Sequence, residues 1–136
     1  MARGGGQMSE PVVFISHFKV KEGKVDELRR LAGEVERSLR EDKPRTAAWL
    51  VYLNEDGTRV SFVHCFPDAP AMDLHFEGSD ERSVAVYEFV EPDGFEIYGR
   101  PSDEALETMR QAAAGSGVSL RVLPDHVGGF LRTGPG

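Results

Sequence analysis

Four histidines and a single cysteine are the side chains of this 136-residue chain best suited to proton transfer, nucleophilic attack or metal binding. His17 lies past the middle of the apolar run Val12–Val20, and His64 near the end of the run Thr58–Phe66. An imidazole enclosed by apolar side chains loses basicity because its charged form is desolvated, so it stands unprotonated near neutrality and can act as a general base. If the two runs form adjacent, parallel strands, both rings share one face. A phenolic or enolic substrate would then lose its proton to them, with Trp49, Phe62 or Tyr98 as a stacking wall and Arg45 stabilising the developing oxyanion. The competing reading makes His17 and His64 core residues whose hydrogen bonds are satisfied within the fold. His75 follows the acidic turn Asp68-Ala69-Pro70 between Leu74 and Phe76. It is expected either to face the mouth of the same enclosure as a further catalytic candidate or to cap a helix C-terminus. His126, in a glycine-rich stretch, reads as a surface residue.

Metal chemistry is not expected. His17, His64 and Cys65 carry suitable atoms, but Cys65 has the opposite strand parity to His64, and no pair has zinc-motif spacing. Gly99-Arg100-Pro101-Ser102 is a strand-to-helix turn without dinucleotide or Walker spacing, and no cofactor is expected. With only a histidine beside it, Cys65 reads as a buried, inert thiol.

The 16 Lys and Arg against 23 Asp and Glu give a net charge of −7, which argues against a nucleic-acid partner. Apolar residues at 40% and charged residues at 29% indicate a folded domain. One cysteine excludes an intramolecular disulfide and fits a reducing compartment. No apolar stretch has the length of a signal-peptide core or a membrane span, so a soluble, cytoplasmic protein without membrane partners is expected.

The elements that must position these residues follow from patterning. Val12–Val20 is a strand with Val13, Ile15 and His17 on one face and Phe14, Ser16, Phe18 and Val20 on the other. Val25, Leu28, Leu31, Ala32, Val35 and Leu39 recur at helical spacing until Asp42-Lys43-Pro44. Ala47–Leu53 and Thr58–Phe66 form a hairpin around Asn54-Glu55-Asp56-Gly57, which puts Trp49, Val51 and Leu53 on one face with Val60, Phe62 and His64. A short helix over Ala69–Phe76, capped by Asp68, breaks at Gly78 and restarts from Ser79 to Val90. Pro92-Asp93-Gly94 reads as a turn and Phe95–Gly99 as a strand. A helix then opens at Pro101-Ser102 and ends at Gly115-Ser116-Gly117, followed by a strand over Val118–Leu123 and an extended piece over Val127–Arg132.

This order gives an α+β fold with the split β-α-β pattern of ferredoxin-like domains over residues 10–100. A helix-strand extension covers residues 101–132, with mobile tails at 1–9 and 133–136. The sheet is apolar on both faces, yet the chain has helices for one, so a sheet-to-sheet homodimer enclosing the interior is expected.

The run Val60–His75, with its apolar strand, Asp68-Ala69-Pro70-Ala71-Met72 and then Leu74-His75, resembles the dimeric α/β-barrel superfamily, in particular its antibiotic-biosynthesis-monooxygenase-like branch. The resemblance covers roughly residues 10–100. It implies an antiparallel sheet forming a dimeric α/β barrel, with a small aromatic or polyketide-like molecule bound inside. It further implies cofactor-independent monooxygenase activity or, alternatively, a non-catalytic ligand-binding or stress-response role.

Overall fold

Alternation of large apolar residues builds the strands that carry the site. In the computed structural model, which describes residues 10–132, β1 (Val12–Val20) buries Val12, Phe14, Ser16 and Phe18 on one face. β2 (Ala48–Leu53) and β3 (Arg59–Phe66) form the expected hairpin, with Trp49 opposite His64 and Val51 opposite Phe62. The reversal is tied by Asp56, whose carboxylate accepts from the Thr58 N–H at 3.1 Å.

The helices start and stop where the local chemistry dictates. α1 (Val25–Asp42) has Asp26 and Glu27 in its first turn, complementing the helix dipole. Asp68 caps α2 (Ala69–Phe76) by accepting from the Ala71 N–H at 2.9 Å. Gly78, in the left-handed conformation, re-aims the chain into α3 (Ser79–Tyr87). Ser102 caps α4 (Asp103–Ser116), and Gly117 ends it at φ +68°.

β4 spans Val90–Tyr98, so two expectations are corrected. The helix after Gly78 stops at Tyr87 rather than Val90, and Pro92-Asp93-Gly94 belongs to the strand instead of a turn. The reason is a bulge: His17 pairs with Gly94 but Phe18 pairs with Pro92, leaving Asp93 as the extra residue. Over these residues β4 has β1 on one side only, because β5 (Leu120–Leu123) begins opposite Phe95. A proline costs no ladder hydrogen bond at such an edge.

The sheet order is β2-β3-β1-β4-β5. β1 lies antiparallel between β3 and β4, as the ferredoxin-like pattern requires, and β5 adds in parallel through α4. The fold is therefore α+β and ferredoxin-like, with the C-terminal helix and strand extending the sheet edge. The piece over Val127–Arg132 joins no sheet; it follows Asp125, which pairs with Arg100, and leaves Val127 and Phe130 exposed. The expected tails at 1–9 and 133–136 lie outside the described residues. Among the described residues, no helix is long and apolar enough to cross a membrane.

The helices cover the face bearing Phe14, Phe18, Phe62, Phe66, Phe95 and Ile97, which with Leu28, Met72 and Met109 form the core. The other face carries Val13, Ile15, Val63 and Cys65 with Leu50 and Tyr52, which are 44% and 60% exposed.

Candidate functional site

Between the sheet and the helices lies a cavity of about 310 Å³. Its floor is the even-numbered face of β1 and β3, including Phe14, Ser16, Phe62 and His64, with Trp49 from β2 and Phe95 from β4. α1 contributes Val35, α2 His75 and Phe76, and α4 Thr108, Met109 and Ala112. α3 presents Ser79, Arg82, Ser83, Val86 and Tyr87, which fall on one helical face by their three- and four-residue spacing. The residues that line the cavity come from all three strands of the β2-β3-β1 group, from β4 and from all four helices.

His64 is fixed by its surroundings. Its Nδ1–H donates to the Phe14 carbonyl at 3.0 Å, and because a carbonyl only accepts, Nε2 carries the lone pair. The ring stacks on Phe14 at 4.9 Å and meets the edge of His75 at 5.1 Å. His75 shares a hydrogen bond between Nδ1 and Thr46 Oγ1 at 2.8 Å. The two residues are 7% and 4% exposed, and among the described residues neither Nε2 has a hydrogen-bond partner. Burial lowers the His64 pKa to about 4, against the Phe14 hydrogen bond, with the Arg82 charge adding to the depression. Burial, then the neighbouring His64, Arg82 and Lys43, brings His75 to about 3. Both rings are neutral at pH 7.

Two further groups complete the lining. The Arg82 guanidinium donates to the His75 carbonyl, and burial lowers its pKa against the opposing influence of Asp42. Ser16 is 5% exposed at the centre of the floor, between Phe62 and Phe95, and its hydroxyl has no partner among the described residues. Among the described residues no aspartate or glutamate lines the cavity. Nor, among them, are three His, Cys, Asp or Glu side chains grouped to hold a metal ion.

Several expected site residues lie elsewhere. His17 does not join His64: β1 and β3 run antiparallel rather than parallel, in a register that sets His17 opposite Ser61 and Phe14 opposite His64, so the two histidines take opposite faces. His17 therefore points to the open face, where Nδ1 meets Ser61 Oγ at 2.8 Å and Nε2 pairs with Glu96. Tyr98 donates to that same Glu96 on the open face, so it forms no wall with Trp49 and Phe62. The bonds from Tyr98 and His17 hold the Glu96 carboxyl below its usual range. Arg45 forms an exposed ion pair with Asp68 at 2.5 Å, outside the cavity lining, rather than serving an oxyanion there. Trp49, Phe62, His64 and His75 do come together around the cavity.

Sequence reasoning missed Ser16 and Arg82. Ser16 had a signal, being the one polar residue in the series Val12, Phe14, Ser16, Phe18. Arg82 had a fainter one in the Ser79-Arg82-Ser83-Val86-Tyr87 stripe, which mixes polar and apolar types.

No protein-family model and no curated protein matches the chain. Solved structures do. MupZ from Pseudomonas fluorescens superposes with a TM-score of 0.68 at 14% identity over 94% of each chain. SnoaB, a cofactor-independent oxygenase from Streptomyces nogalater, gives 0.56 at 13% identity, covering 69% of this chain and 96% of its own. A candidate antibiotic biosynthesis monooxygenase from Deinococcus radiodurans gives 0.55 at 14% identity, covering 67% of this chain and 93% of its own. The chain shares the ferredoxin-like α+β fold of these proteins.

Proposed function

We propose that this fold serves here as a cofactor-independent monooxygenase acting on a small aromatic or polyketide-like molecule held in the cavity. The observation that carries the reading is the His64 Nε2 lone pair, buried and unpartnered among the described residues in an enclosure of aromatic rings. Fold likeness to a cofactor-independent oxygenase supports the reaction class. Trp49 and Phe62 supply stacking surface for a planar substrate. His64, with His75 against it, takes a proton from a C–H bond activated by a neighbouring phenol or carbonyl, and the Ser16 hydroxyl donates to the oxyanion that develops.

The carbanion gives electrons to dioxygen, and a C–O bond forms. The proton on His64 passes to the outer peroxide oxygen. The second C–H bond then breaks as the O–O bond cleaves, so that a ring methylene and one dioxygen become a ring carbonyl and one water. Carbon loses four electrons and dioxygen gains four.

The weak basicity of both imidazoles favours a second reading, a non-catalytic ligand-binding or stress-response module using the same cavity. Oxygen uptake with a panel of hydroquinones and anthrones separates the two. An oxygenase consumes oxygen with at least one compound and loses that activity in His64→Ala and His75→Ala. A binding module raises its melting temperature with the same compounds and consumes none.

We further propose a two-fold homodimer through the open sheet face, supported by the apolar group of Val13, Ile15, Leu50, Tyr52 and Val63. Sedimentation velocity tests it: the wild type runs at twice the 15.0 kDa chain mass, and Leu50→Glu runs as a single chain. A wild type that stays single at high concentration refutes the dimer and leaves the cavity intact.

A further inference from the structure

Among the described residues, Arg82 is the one lining residue that carries charge at neutral pH, since His64 and His75 are neutral and no carboxylate joins them. Among the same residues it has no ion-pair partner. The His75 carbonyl takes one of its N–H groups, which leaves the rest of a five-donor fork unused. A partly buried cation without a counter-charge is costly, and one at the edge of an apolar enclosure in a protein of net charge −7 runs against the overall field.

Among the described residues, the groups that line the cavity with it do not neutralise it. Lys43 lies behind His75 and adds positive potential. Among the described residues, the acid that acts on Arg82 is Asp42, at the end of α1 and outside the lining. Ser79 and Ser83 stand on the same helical face as Arg82 and can accept or donate beside it. The remainder of the lining is mostly aromatic and aliphatic, which suits a flat ring system and offers poor solvation to a small, fully hydrated ion such as phosphate.

Resting on the reading that this cavity binds an aromatic molecule, we infer that the ligand is an aromatic carboxylic acid taken up as its anion, with the carboxylate on Arg82 and the rings on the aromatic floor. The fork geometry of guanidinium matches a carboxylate through two parallel N–H···O bonds. A cavity of about 310 Å³ is at the small end for organic ligands, which points to two or three fused rings. Arg82 is then a specificity residue: it selects the acid over its neutral relatives and positions the ring system against His64.

The test is binding without turnover. 2-Naphthoate, 2-naphthamide and 2-methylnaphthalene are titrated anaerobically against the purified protein, following quenching of Trp49, the single tryptophan, which lines the cavity. The wild type should prefer the carboxylate over the amide by about 10- to 100-fold, the range of a charge-assisted contact. Arg82→Gln should abolish that preference while the amide's affinity shifts by less than about twofold, and Arg82→Lys should keep part of it. Carboxylate and amide binding alike in the wild type, a preference that survives Arg82→Gln, or no binding by any of the three overturns the inference. Oxygen uptake from a neutral anthrone with no carboxylate preference sinks the inference and spares the oxygenase reading. Carboxylate preference without uptake does the reverse.

Discussion

Lowering the pH from 6.5 to 5 should remove stability from this protein in an amount set by its two buried histidines. In the unfolded chain each imidazole has an ordinary pKa of about 6.5 and takes up a proton over this range. In the folded chain His64 and His75 hold theirs off to about 4 and about 3, because burial penalises the charged ring. Unfolding therefore binds protons below pH 6.5, and stability falls with pH until each folded-state value is passed. Integrating from pH 6.5 to 5 gives a loss on the order of 3 kcal/mol for the pair. That is a large share of the stability of a domain of this size. Urea unfolding followed by Trp49 fluorescence at half-unit pH steps measures it, and most carboxylates remain ionised throughout. His64→Phe keeps a flat ring against Phe14 and Phe66 but cannot titrate, so the decline should shrink to roughly half. Unchanged wild-type stability over this range, or a variant as pH-sensitive as the parent, would refute the placement of two neutral imidazoles in the interior.

Gly99 sits at φ +100°, and a Cβ there would lie 2.6 Å from the Pro11 carbonyl oxygen. Gly99→Ala should cost about 2–4 kcal/mol and lower Tm by roughly 10 °C, read by thermal unfolding; a wild-type Tm contradicts the close approach. Ser102 accepts from the Ala105 N–H at 3.1 Å and donates to Asp73 Oδ1 at 2.6 Å, joining α4 to α2. Ser102→Ala should lose about 1–2 kcal/mol in urea unfolding and Ser102→Thr much less, whereas equal losses would argue against the cap.

Much of the architecture was legible because it depends on local rules. The even-odd alternation of β1 and β3, the Asp-Gly hairpin, the Asp68 cap, the helix opening at Pro101-Ser102 and the split β-α-β order all follow from side-chain type and spacing. Pairing register is not local. The β1–β3 register sets His17 opposite Ser61 and Phe14 opposite His64, which puts the two histidines on opposite faces and dissolved the expected pair. His75 entered the site for a reason outside its own segment: α2 turns its C-terminal end over β3, bringing the ring against His64 and Phe66. The bulge at Asp93 was hidden because Pro-Asp-Gly has the composition of a turn, and only the absence of a second neighbouring strand makes it tolerable in a sheet.

The C-terminal helix began as an appendage in sequence and ends as masonry. Through Thr108, Met109 and Ala112, α4 is an end wall of the chamber, and Ser102 mortars it to α2 beside His75. A wall delivered by one late segment lies outside the strand that holds His64 and the helix that holds His75. Changes confined to those three positions would re-size the guest, so the breadth of molecules admitted is governed by a stretch that follows the split β-α-β pattern in the chain.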